Sequence, residues 1–195
     1  MIVEPKPAAS LLVLRLPERQ VLMGLRGAGH KFMPNRLVFP GGRVDAEDHD
    51  AAVEIAMPEH VQRRLERAAT PELALAIGVA AARELEEETG LTLGNPPSLA
   101  GFDFLCRAIT PETMPMRFDA RFLVVDAGQV SGELAGSGEL EDLRWYSLEE
   151  ALALDLAFAT RGVLEKLLEW LAMSAAQRAA RVEVPTLRNR GWVNE

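Results

Sequence analysis

Arg83-Glu84-Leu85-Glu86-Glu87-Glu88-Thr89-Gly90-Leu91 is the stretch on which the reading of this chain turns. Its stop signal is Gly90, the residue that most easily takes the left-handed conformation past a helix end. The matching start lies upstream at Thr70-Pro71-Glu72, with Thr as N-cap, Pro at the first helical position and an acid in the first turn. Ala76, Val79, Ala80 and Leu85 recur between them at helical spacing, so the pattern predicts a helix from about 71 to 89. Each helical residue advances about 100°. With Glu84 at zero, Glu87 falls at about −60°, Glu88 at about +40° and Glu86 at about 200°. Three carboxylates therefore share one face and repel one another. A hard divalent cation among them would make that arrangement tolerable. The plainer alternative is a solvated, glutamate-rich helix end. Its weakness is placement, because acids near a helix C-terminus oppose the macrodipole.

Outward from this helix, residues 8–15 (AASLLVLR) and 19–26 (RQVLMGLR) read as two antiparallel strands joined by a short turn. Leu37-Val38-Phe39 is a short apolar run stopped by Pro40-Gly41-Gly42. Residues 51–68 look helical. Residues 101–125 read as strands broken near Thr110-Pro111 and Met114-Pro115, and Leu143 to Tyr146 as another. Ser147-Leu148-Glu149-Glu150 has capping-box spacing and opens a short helix. A last helix is expected over 161–180, with Val163, Leu164, Leu167, Leu168 and Leu171 on one face. Residues 185–195 are expected to form a tail, or an arm lying on a partner subunit. This order of strands and helices points to an α+β or α/β/α layered fold rather than a parallel doubly wound sheet.

A chain of 195 residues is most simply one domain, residues 1–195. Its formal charge of −8 leaves no general attraction for nucleic acid or anionic membranes, so a phosphate-rich partner requires local basic groups or metal ions. No apolar run reaches the ~18 residues of a membrane helix. The first residues lack the basic and apolar blocks of a signal peptide, so a cytoplasmic protein is the default expectation. Cys106, the single cysteine, excludes an internal disulfide and a cysteine zinc cluster; a buried apolar role is favoured over a reactive thiol.

Residues 83–91 match R-E-U-x-E-E-x-G-U, with U aliphatic, and Phe39-Pro40-Gly41-Gly42 resembles a glycine pair in the right order ahead of it. Together these resemble the signature of the Nudix hydrolases. The resemblance implies an α/β/α sandwich with a mixed central sheet. It also implies Mg²⁺ or Mn²⁺ as cofactor, and cleavage of a diphosphate bond in a nucleoside diphosphate linked to another moiety. Glu84, Glu87 and Glu88 would be metal positions, and Gly42 would place a backbone carbonyl near the metal. Arg83 would pair with a helix glutamate and orient it. The signature expects Glu after five intervening residues, six positions beyond the second glycine, and Arg eight positions later. Asp48 stands in place of that Glu, 35 positions before Arg83, so about 27 extra residues, roughly 50–76, split the motif. This insertion could cover the substrate cleft or build a dimer interface.

One branch, the peroxisomal coenzyme A diphosphohydrolases and their bacterial relatives, is similar in where the motif is split. It also carries segments similar to Phe32-Met33-Pro34, to Val38 through Gly42 with Asp45 and Asp48, and to Ile109-Thr110-Pro111 followed by Arg117-Phe118-Asp119 and Arg121-Phe122. Ala108 stands where that branch often has tryptophan. Coenzyme A or a derivative is the substrate this branch implies.

Arg26, Arg36, Arg43, Arg117 and Arg121 are candidates to grip phosphate, each competing with a plain salt-bridge reading. Glu139 and Glu141 fit the place of the loop glutamate that acts as general base in many members; a solvated loop acid is the alternative. His49 and His60 read as incidental, and His30 as a lesser candidate for touching substrate. A non-catalytic module binding a nucleotide or protein is a competing reading, and so is a structural protein with an accidental acidic helix. Binding alone has no need of Arg83, Glu84, Glu87 and Glu88 together. The insertion and the apolar last helix motivate an expected homodimer.

Overall fold

The computed structural model describes residues 3–27, 29 and 35–195; His30 and the Phe32-Met33-Pro34 segment lie outside the described residues. The chain opens with the antiparallel strands β1 (Lys6–Arg15) and β2 (Gln20–Arg26). Short strands β3 (Leu37–Val38) and β4 (Gly41–Arg43) follow, then a 3-10 turn at Ala46–His49. Helices α1 (Glu59–Leu65) and α2 (Pro71–Thr89) lead to β5 (Leu91–Thr92), β6 (Asp103–Ile109), β7 (Phe118–Asp126) and β8 (Ser131–Gly132). The last third holds β9 (Leu140–Ser147), α3 (Leu148–Ala153), α4 (Phe158–Leu171), α5 (Ala175–Ala180), β10 (Pro185–Arg188) and β11 (Gly191–Asn194).

The central sheet runs β11-β10-β6-β7-β1-β2-β3, with β4 on β1 and β9 on β2. It is mixed: β1 with β7 and β10 with β6 are parallel, while the other pairs are antiparallel. Helices cover both faces, which is why β1 is a nearly continuous apolar run instead of an alternating one. Leu11 and Val13 point to the α2 side with Ile77, Ala81 and Leu85; Leu12 and Leu14 point to the α4 side with Val163, Leu164 and Leu167. Small residues let α2 lie close. A Cβ on Gly78 would stand 2.9 Å from Leu99 Cδ1. Cys106 lies fully buried on the α4 side, where burial pushes its thiol pKa up. The layered α+β expectation is met.

Thr70 caps α2 by accepting the Leu73 N–H, and Gly90 closes it at φ 73°, as the sequence predicts. The insertion differs from its expectation. Of the stretch 51–68 read as helical, Glu59–Leu65 is an α-helix; the alanine-rich stretch before it is held open by Glu54 N–H donating to the Pro97 carbonyl and Leu99 N–H to the Ile55 carbonyl. Pro58 further disfavours a helical residue ahead of it. Met57, Val61 and Leu65 complete the core on the α2 side. The expected helix over 161–180 is two helices, because Ser174 and Gln177 form a capping box that starts α5 afresh.

The expected tail is instead a hairpin that continues the sheet. Asn189 and Arg190 both take positive φ (50° and 64°), the geometry of a two-residue hairpin turn, and β10 pairs in parallel with β6. The apolar faces of α1 and α4, which motivated a dimer, are spent inside this chain.

Candidate active site

The C-terminal half of α2 carries Glu84 and Glu88 towards β4, with the glycine pair beneath them. Gly41 N–H donates to Glu88 Oε2 at 2.8 Å. At Gly42 the close approach explains the residue: a Cβ there would lie 2.1 Å from Glu84 Oε1. Any side chain at this position would push the Glu84 carboxylate out of its present place, so glycine is what lets the carboxylate lie against the turn.

Arg83 organises this face. Its Nε and Nη2 fork the Asp48 carboxylate at 2.9 and 3.0 Å, and Nη2 also reaches the Arg43 carbonyl at 3.0 Å. Its Nη1 donates to Glu84 Oε1 at 2.9 Å and Glu87 Oε2 at 3.1 Å. Asp48 is buried and also accepts the Asp45 N–H at 2.8 Å. The shorter aspartate thus still meets the arginine, bridging the split motif across 35 positions. The Asp48 hydrogen bond is the largest cause raising the Arg83 pKa, so this guanidinium is a fixed cation.

Burial raises the Glu84 pKa; Arg83 opposes this, while Glu87 and Glu139 add to it. Burial pushes Glu88 up to about 7, opposed by the Gly41 N–H and Arg26 and reinforced by Glu84 and Glu139. Two carboxylates with poorly compensated charge therefore face one glycine turn, an all-oxygen donor set that suits a hard divalent ion. Glu87, more exposed, is turned to Arg83. Among the described residues no three histidine, cysteine or acidic side chains already form a metal cage.

A pH prediction follows from Glu88. Its folded pKa lies above the ordinary 4.5, so the folded metal-free protein binds more protons than the unfolded chain between those values. Stability then falls as pH rises from about 4.5 to about 7, by about 3 kcal/mol in total. Melting curves in chelator between pH 5 and 8 should slope down for the wild type and less so for Glu88→Gln. Equal slopes would reject the assignment.

The candidate arginines divide. Arg26, at the end of β2, points into the site: its Nη2 lies 3.4 Å from the Gly41 carbonyl oxygen and 3.9 Å from Glu88 Oε1. Arg43 is half-exposed beside Asp45, and Arg36 pairs with Asp155. Arg117 and Arg121 are not brought to the acidic face. Arg117 bonds the carbonyls of Thr110 and Val3. Arg121 is buried, paired with Asp119 and donating to the Ala68 carbonyl. Both staple backbone, and strand alternation alone could not distinguish that from a ligand-facing role. Glu139 is exposed beside the site, its carbonyl taking the Gly27 N–H and its charge acting on Glu84 and Glu88. Glu141 stands opposite Leu25 in the β2–β9 ladder and is exposed. His60 offers its carbonyl to Arg64, and His49 acts weakly on Glu72.

The family model described as "NUDIX domain" matches residues 74–170. The chain is 36% identical over 190 aligned positions to putative nudix hydrolase 7 of Caenorhabditis elegans, covering 82% of this chain. It spans about half, 56%, of that relative's length. Among solved structures it is similar to a NUDIX hydrolase from Alicyclobacillus acidocaldarius, with a TM-score of 0.67, 21% identity and coverage of 93% and 98% of the two chains. It is also similar to a MutT NUDIX hydrolase from Burkholderia pseudomallei, at TM-score 0.56, 23% identity and coverage of 85% and 99%. At these identities the two structures bear on the fold.

Proposed function

Because the chain belongs to the Nudix superfamily, we propose that it is a divalent-metal-dependent hydrolase that breaks the diphosphate bond of a nucleoside diphosphate joined to another group. The observation that carries this reading is the buried Glu88 carboxylate, with the part-buried Glu84 beside it, set against a glycine turn in which a Cβ on Gly41 would run into the Ala9 and Ser10 backbone. A structural helix gains nothing from burying them there.

The residues fit Mg²⁺ or Mn²⁺ by donor chemistry, with Glu84, Glu88 and the glycine-turn backbone as holders and Glu87 next to them on the same face. When bound, such an ion polarises a phosphoryl oxygen, acidifies a water and neutralises charge on the diphosphate. The chain's own residues do the rest. Arg83, locked by Asp48, fixes the rotamers of Glu84 and Glu87. Arg26 offers a guanidinium to phosphoryl oxygens at the cleft edge. Glu139, on the loop leading into β9 and close enough for its charge to act on Glu84 and Glu88, is our candidate for the group that takes a proton from the attacking water.

Coenzyme A and its acyl derivatives are the first substrates to test, on the resemblance of the split motif and the segments around it. A panel of these with NADH, ADP-ribose, diadenosine polyphosphates and nucleoside triphosphates, assayed with Mg²⁺ or Mn²⁺, decides. Release of adenosine 3′,5′-bisphosphate and a phosphopantetheine product from coenzyme A is the expected result. Cleavage of another member alone would keep the mechanism and discard that substrate. No metal-dependent turnover of any member would reject the hydrolase reading.

A further inference from the structure

Every carboxylate on the acidic face of α2 is held by an arginine, but the two arginines are held very differently. Arg83 is committed. It forks a buried carboxylate and takes the Arg43 carbonyl, so moving it would leave the buried Asp48 charge with only the Asp45 N–H to hold it. Among the described residues Arg26 makes no fork. Its side chain meets them through Nη2, at 3.4 Å from the Gly41 carbonyl oxygen and 3.9 Å from Glu88 Oε1, both long for their kind. These two oxygens are hard donors of the sort a divalent ion selects, one from the glycine turn and one from the buried glutamate. Glu88 Oε2 is already taken by the Gly41 N–H, while Oε1, among the described residues, meets only the distant Arg26 guanidinium. One loosely held cation therefore stands between two oxygens suited to a tighter one.

We propose that Arg26 is an exchangeable resident cation. It neutralises Glu88 and the Gly41 carbonyl while the site is metal-free, and it surrenders both oxygens when the divalent ion enters. This rests on the metal-dependent reading above. Metal loading is then a substitution of one cation for another rather than the filling of a bare acidic site. Its cost is the displacement of a positive charge about 4 Å from the ligand oxygen. The exchange also explains how three glutamates are tolerated at the end of a helix before any metal arrives: Arg83 permanently neutralises part of the face, and Arg26 does so on loan.

The test is a calorimetric titration of Mn²⁺ into the full chain without nucleotide, comparing wild type with Arg26→Gln and Arg26→Lys. Removing the competing charge should tighten Mn²⁺ binding by Arg26→Gln about three- to tenfold, after allowance for solvent screening. Arg26→Lys, which keeps a cation, should stay within about twofold of wild type. A purely structural role for Arg26 would move affinity the other way, because loosening the site weakens binding. Affinity of Arg26→Gln equal to or below that of wild type overturns the proposal. Failure of the underlying metal reading looks different: wild type, Arg26→Gln and Glu88→Gln would then show the same absence of saturable Mn²⁺ uptake, which removes both ideas together.

Discussion

Glu88→Gln is expected to remove nearly all metal-dependent turnover while leaving the fold in place. Glutamine keeps the shape of the side chain and an oxygen to accept the Gly41 N–H, now made at 2.8 Å. It removes only the negative charge, which is the property a divalent ion needs. The loss should be about a thousandfold, corresponding to ~4 kcal/mol of transition-state stabilisation. In chelator at pH 8 the variant should melt no lower than wild type, because a charge that burial disfavours is gone. The pair of readouts matters, since a drop in turnover with a drop in melting temperature would indicate damage rather than chemistry. A variant that keeps more than about a tenth of wild-type turnover, less than 1.4 kcal/mol of loss, would end the assignment of Glu88.

The largest expected effect on stability lies in Arg64. This side chain is 3% exposed and comes from the insertion. Its Nη2 pairs with Asp103 at 2.5 Å, Nη1 reaches the Phe104 carbonyl at 3.3 Å, and Nε bonds the His60 carbonyl at 3.0 Å. The second Asp103 oxygen accepts the Trp170 indole N–H at 2.7 Å. Asp103 thus ties α1, the start of β6 and the end of α4 together. Arg64→Leu fills much of the volume but leaves the largely buried carboxylate without its cation, at an expected cost of about 3 to 5 kcal/mol. For a chain of this size that is roughly a 10 °C fall in melting temperature. Adding Asp103→Asn should recover part of the loss, since the stranded charge is then absent. Turnover per folded molecule should be unchanged in Arg64→Leu. A destabilisation below about 1 kcal/mol would show that the pair contributes no more than an exposed one.

The helix and its acidic face were legible from residues 70–91 alone, because caps and periodicity are local signals. The glycine pair was legible as a turn, and its pressure on Glu84 belongs to tertiary packing, beyond the reach of spacing. The alanine-rich composition of residues 51–68 predicts a longer helix than the Glu59–Leu65 one that forms. The extended stretch before it is decided by hydrogen bonds to residues 97 and 99. Arg117 and Arg121 illustrate a further limit. A sequence gives an arginine and its face, but whether the guanidinium meets a phosphate or a carbonyl depends on chain that arrives from elsewhere, here Ala68 and Val3. The terminal hairpin did leave a trace in Asn189-Arg190-Gly191, weaker than the asparagine–glycine pair that usually marks such a turn.

Cys106 has a practical consequence. Its thiol is wholly enclosed beneath α4, and burial keeps it protonated, so it offers no thiolate to an electrophile. The native chain is therefore already a clean background for maleimide labelling. A fluorophore introduced through Ser137→Cys, on the exposed loop that leads to Glu139, would be the single dye on the molecule without any need to remove the native cysteine first. The approach of that loop to the acidic face could then be followed as an optical signal while nucleotide and metal are added.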